Sequence, residues 1–124
     1  RYPFDPETTL FVSLEGIGAG SLCFVTGGDA GRGRAADPLL LERAYAAAAD
    51  PRVDAGPRVY RGGTTLAGEL RRLGLRALAV TCLDAGGRVP LQASADDAPD
   101  QVDEALLERA ARLAVGIVRK LDSG

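Results

Sequence analysis

Two stretches near the start of the chain, residues 9–15 (TLFVSLE) and 21–26 (SLCFVT), are almost continuously apolar and rich in β-branched side chains. Both predict short strands. Continuous apolar character, in place of strict alternation, is what a strand covered on two faces requires. A glycine run over residues 16–20 separates them, and residues 27–36 (GGDAGRGRAA) carry no period and predict a loop. Asp37-Pro38 then opens a helix, with Asp37 as N-cap and Pro38 at the first helical position, where a missing N–H costs nothing. That helix extends to about Ala49, ahead of Asp50-Pro51, and its apolar stripe is Leu40, Leu41, Ala44, Tyr45 and Ala48.

Residues 58–61 predict a short strand. Thr64 or Thr65 caps a helix that runs through Leu73, and Gly74 closes it. Residues 77–83 (ALAVTCL) predict the third clear strand, and residues 88–99 are irregular. Asp103 caps the last helix, Glu104 to about Leu121. Its apolar face is Leu106, Leu107, Ala110, Leu113, Ala114, Ile117, Val118 and Leu121, and Gly116 either weakens it slightly or admits a close neighbour. The order β-β-α-β-α-β-α predicts an α/β fold, a mixed β-sheet sandwiched by helices. Three helices on so small a sheet leave at least one apolar strand with an unpaired edge, which is an association hazard. The chain therefore reads as incomplete, and an N-terminal segment or a second copy is expected to cover that edge.

Composition narrows the chemistry. The 124 residues allow one domain, with 46% hydrophobic and 26% charged residues, the balance of a globular protein. Net charge is −2, and of 15 basic residues only Lys120 is lysine, so neither nucleic acid nor anionic lipid is an expected partner. No apolar run approaches the roughly 18 residues of a membrane span. The opening residues, RYPFDP, do not form a signal peptide and resemble the interior of a longer chain, which leaves localisation open. Histidine is absent. That removes Ser–His–Asp and Cys–His triads and any His-containing zinc site. Cys23 and Cys82 lie in apolar strand runs and read as two buried thiols, a disulfide between them requiring neighbouring strands.

Three motifs invite a functional reading. Gly16-x-Gly18-x-Gly20 follows a strand, but a second strand follows it where a dinucleotide fingerprint needs a helix, so it reads as a tight turn needing positive φ. The acidic run Asp96, Asp97, Asp100, Asp103 and Glu104 lacks the spacing of a calcium loop and suits a helix N-terminus. Glu15 ends an apolar strand directly before the glycine turn, where α/β folds place functional groups and where a charge also reaches solvent.

The segment from Asp5 through TTLFVSLEGIG resembles the part of the M28 zinc aminopeptidases in which an apolar strand ends in a zinc-ligating Asp before a glycine turn. Arg61-Gly62-Gly63-Thr64-Thr65, the helix after it and Leu73-Gly74-Leu75-Arg76 resemble that family's Thr-Asp segment. Asp97-Ala98-Pro99-Asp100-Gln101-Val102-Asp103 and the helix beyond are similar to the family's ending, where a metal-ligating His precedes an Asp-Thr-Pro-Asp run by four residues. The resemblance implies the C-terminal half of a zinc-peptidase (phosphorylase/hydrolase-like) fold, a single domain over residues 1–124 lacking its N-terminal half.

It also implies where the metal site would stand. The family's Asp ligand falls on Glu15, its Thr-Asp acid on Thr65 and its His ligand on Ala93, which has no ligand atom. No catalytic residue and no cofactor are therefore expected, although the family uses zinc. The expectation is a non-catalytic binding or structural module that takes a peptide, a partner protein or a second subunit. It would do so through the sheet edge or the cleft near Glu15, Arg61, Thr65 and Ala93. The alternative is part of an active zinc-dependent aminopeptidase whose other ligands lie outside this chain, with Glu15 as one ligand.

Overall fold

The longest apolar strand takes the middle of the sheet, and the other elements arrange themselves around it. The structure, a computed structural model, describes residues 3–17, 19–27, 36–63, 65–88 and 104–122. Its elements are β1 (Leu10–Glu15), β2 (Ser21–Gly27), α1 (Pro38–Ala48), β3 (Gly56–Val59), α2 (Leu66–Arg72), β4 (Arg76–Leu83) and α3 (Glu104–Asp122). Type and order follow the hydrophobic pattern element for element. The third strand differs most in its bounds, starting at Gly56 where the pattern placed it at Arg58.

The sheet order is β1-β4-β2-β3. β4 runs parallel to β1 and antiparallel to β2, and β2 runs parallel to β3, so the sheet is mixed. The parallel β2–β3 pair needs a crossover, and α1 supplies it. Every residue from Ala77 to Leu83 is buried, as the unbroken apolar run requires. On one face Leu78, Val80 and Cys82 join Leu22 and Phe24 under α1 and α3. On the other, Ala77 and Ala79 join Val25 beneath Ala67 and Leu70 of α2, small side chains that let a short helix lie close. Phe24 is fully buried at the centre, a contribution of about 2–3 kcal/mol relative to exposure.

Two helix faces differ from the sequence expectation. In α1 the buried line is Leu40, Ala44 and Ala47, whereas Tyr45 is exposed and stands edge-on to Phe24 at 5.0 Å. The reason is α3. A Cβ at Gly116 would come within 3.0 Å of the Ala47 Cβ, so the glycine admits a close neighbour and turns Ala47 inward. In α3 the buried line is Leu106, Ala110, Leu113 and Ile117, while Leu107 and Val118 stay exposed because the sheet covers a narrower stripe than the sequence offers.

The glycine turn behaves as expected where it is described: Gly16 has φ 59° and Gly20 φ 97°, conformations that suit glycine. It does not close a hairpin, because β4 lies between β1 and β2. β1 and β3 are the sheet's edges, and β1 is the long apolar strand whose second edge is left open among the described residues. No described helix is long and apolar enough to cross a membrane.

One guanidinium ties the corner where β4 begins. Asp37 caps α1 by accepting from the backbone N–H groups of Leu39 and Leu40 at 3.1 Å each. Its carboxylate also accepts from Arg76 at 2.7 and 3.2 Å, while Arg76 donates to the Glu7 carbonyl at 2.9 Å. Burial pushes the Asp37 carboxyl up, but Arg76 and the two backbone donors outweigh that and hold it below the usual carboxylate range. The folded value is depressed, so the stabilisation is present above the unfolded value, roughly pH 4, and is lost as pH falls through the folded one. Asp37→Ala should cost about 2 kcal/mol at neutral pH by removing both cap and ion pair. In urea titrations, the gap between wild type and Asp37→Asn should narrow steadily below about pH 4.

Candidate functional site

The sheet register gathers polar groups at the C-terminal ends of β1 and β4. Glu15 pairs with Thr81, and Thr81 pairs with Cys23, so the three form a row across the sheet on the face that α2 covers. Ser13 shares that face with Glu15, since alternate residues of a strand point the same way.

Both carboxylate oxygens of Glu15 accept a hydrogen bond. Its Oε2 accepts from the Ser13 hydroxyl at 2.6 Å, and its Oε1 accepts from the Leu66 backbone N–H at 2.9 Å. Leu66 is the first residue of α2, so this carboxylate reaches from β1 to cap a helix 51 residues further along the chain. The adjacent N-cap, Thr65, accepts from the Gly68 N–H at 2.9 Å and is buried. Two side-chain oxygens thus serve the first turn of α2, and the negative charge sits at the favourable end of the helix dipole.

Glu15 and Thr65, two positions singled out from the sequence, are brought together by this cap. Arg61 is placed elsewhere: its backbone N–H donates to the Gly87 carbonyl at 2.8 Å, and its side-chain stem lies against Gly87, whose φ is +80°. Ala93, Thr64 and the acidic positions Asp96, Asp97, Asp100 and Asp103 lie outside the described residues. Sequence reading missed Thr81, whose hydroxyl is buried without a hydrogen-bond partner among the described residues. It also missed Ser13, although the Ser-x-Glu spacing in a strand was the available signal. Among the described residues no three or more His, Cys, Asp or Glu side chains come together as a group able to hold a metal ion.

The cysteines are free and buried. Cys23 pairs with Thr81 on the α2 side, whereas Cys82 pairs with Leu22 and packs with the α1 and α3 core. Their side chains leave opposite faces of the sheet, a geometry that a disulfide cannot span. Burial pushes the Cys23 thiol up to about 12, with the charge of Arg58 offsetting only part of the effect, and the thiol donates to the Thr81 carbonyl. A thiol so raised is a poor nucleophile.

Compared with known proteins, the chain matches no family model and no curated sequence.

Two outcomes follow from this geometry. Glu15→Ala should lower stability by about 1–2 kcal/mol, read as a drop of several degrees in Tm, with Glu15→Gln losing less because it keeps an acceptor oxygen. Neither Cys23 nor Cys82 should react with an aromatic disulfide reagent at pH 8 in the folded chain, and both should react after denaturation; prompt labelling of native protein would contradict the burial described.

Proposed function

We propose that the chain is a non-catalytic M28 peptidase-like domain, the C-terminal half of such a fold, serving as a binding or structural module. The observation that carries this reading is the state of the Glu15 carboxylate. A hydrolytic zinc centre needs about three protein ligands and an open position for the water it activates. The residues present do not fit one. Both Glu15 oxygens already hold Ser13 and the start of α2, the Thr65 oxygen holds the Gly68 N–H, and position 93 carries a methyl group. A cation at Glu15 would have to share that carboxylate with the α2 cap, and among the described residues no group of three or more His, Cys, Asp or Glu side chains is there to complete a site. The mixed α/β architecture, with a strand ending in an acid before a glycine turn, agrees with the proposed fold at a coarse level.

A second reading keeps the chain as part of an active zinc aminopeptidase whose remaining ligands lie outside it. It is favoured by one feature, a carboxylate standing at the C-terminal end of β1. Metal analysis with calorimetric zinc titration of the full-length protein, including whatever sequence adjoins these 124 residues, separates the two. The module reading expects no stoichiometric zinc and no cleavage of an aminoacyl nitroanilide. One tightly held zinc per chain, lost together with cleavage in Glu15→Ala, would establish the peptidase reading instead.

A further inference from the structure

At the end of the sheet where β2 and β3 begin, a pocket of about 440 Å³ opens, with Gly20, Ser21, Asp54, Gly56, Arg58 and Arg109 in its lining. That volume lies in the range of small-ligand sites. Two guanidiniums reach it from opposite faces of the sheet. Arg58 leaves β3 on the side of Val25, its partner in the register and part of the cluster beneath α2. Arg109 comes from α3, which packs on the other side against Leu22 and Phe24.

Main-chain oxygens fix both guanidiniums, and among the described residues no carboxylate lies within hydrogen-bond distance of either. Arg58 Nη2 donates to the Asp84 carbonyl at 2.9 Å. Arg109 donates from Nε to the Val53 carbonyl at 3.1 Å and from Nη2 to the Asp54 carbonyl at 3.2 Å. The Asp54 carboxylate stands 3.9 Å from Arg109 on a side chain that is 85% exposed, so it neutralises little of that charge. A carbonyl orients a guanidinium without cancelling its charge. Arg58 thus keeps Nε and Nη1, and Arg109 keeps Nη1, for an incoming acceptor, on arms whose ordering is already in place.

The lining specifies the ligand's charged group. Two cations and one solvent-facing acid leave a single positive charge, in a chain whose net charge is −2. One negative charge balances it, whereas a phosphate dianion brings a second that the lining leaves unbalanced. The planar fork of a guanidinium also matches a planar carboxylate. Gly56 leaves space beside Arg58, since a Cβ there meets no atom within 4 Å. Resting on the binding-module reading, we infer that this pocket takes a ligand carboxylate between Arg58 and Arg109, supplied by the C-terminus of a peptide or by a small carboxylic acid.

Calorimetric titration of the full-length protein with N-acetyl-trialanine, its C-terminal amide, acetate and inorganic phosphate tests this. N-acetyl-trialanine should bind at one site per chain, and the amide at least about tenfold more weakly, because it lacks the charge-assisted pair. Acetate that matches the peptide assigns the site to small acids; weaker acetate assigns it to peptide ends. Arg58→Gln should weaken the acid about tenfold. Gly56→Leu should abolish binding without lowering Tm, because Gly56 and Arg58 share one face of β3 and the new side chain enters open space. The proposal is overturned if neither carboxylate binds, if the amide binds as well as the acid, or if phosphate binds more tightly than both carboxylates. Affinity left intact by both substitutions overturns it as well. All of these results leave the zinc question untouched, since metal content and the peptidase assay decide it.

Discussion

Strand β4 lies between two other strands with its side chains buried on both faces, and the rest of the architecture follows from covering it. Residues 76–81 pair with β1 on one side, residues 80–83 pair with β2 on the other, and its side chains are buried from Ala77 to Leu83. Covering both faces forces helices onto both sides of the sheet. Because α2 leads into β4 through the left-handed Gly74, it runs back over the sheet, and its N-terminus arrives where β1 and β4 end. Glu15 is already there. The long-range cap is thus a product of topology and of one carboxylate at the right strand end.

Much of this was legible in the sequence. The unbroken apolar runs gave strands, Asp37-Pro38 gave a capped helix start, and Thr65 and Gly74 gave the limits of α2, each through local chemistry. Strand order was not legible, because which strands pair is decided by contacts between distant segments. The insertion of β4 between β1 and β2 is the clearest case. The apolar faces of α1 and α3 were read from period alone, and period does not say how wide a stripe the neighbours will cover. Tyr45, Leu107 and Val118 were misassigned for that reason. At the candidate site, position alone singled out Glu15, but its partners were hidden. Leu66 offers a backbone N–H that any residue would offer, and Thr81 is adjacent only through the register.

The molecule's polar and apolar resources are distributed unevenly. Near the ends of β1 and β4 the Glu15 oxygens accept from the Ser13 hydroxyl and from the first turn of α2. Along the outer side of β1 and α3 the reverse holds: apolar side chains and strand backbone stand without a counterpart among the described residues.

The Arg76 corner couples three segments of the fold. A single guanidinium grips the backbone at Glu7 ahead of β1, the capping acid of α1 and, through its own place in the chain, the first residue of β4. Three segments far apart in sequence share one fastener, so fraying there is a joint event: the lead-in to β1 cannot peel away without also loosening the start of α1. Partial opening from this corner exposes one cooperative unit, and proteolytic nicks near residues 5–8 and 36–38 should therefore rise and fall together.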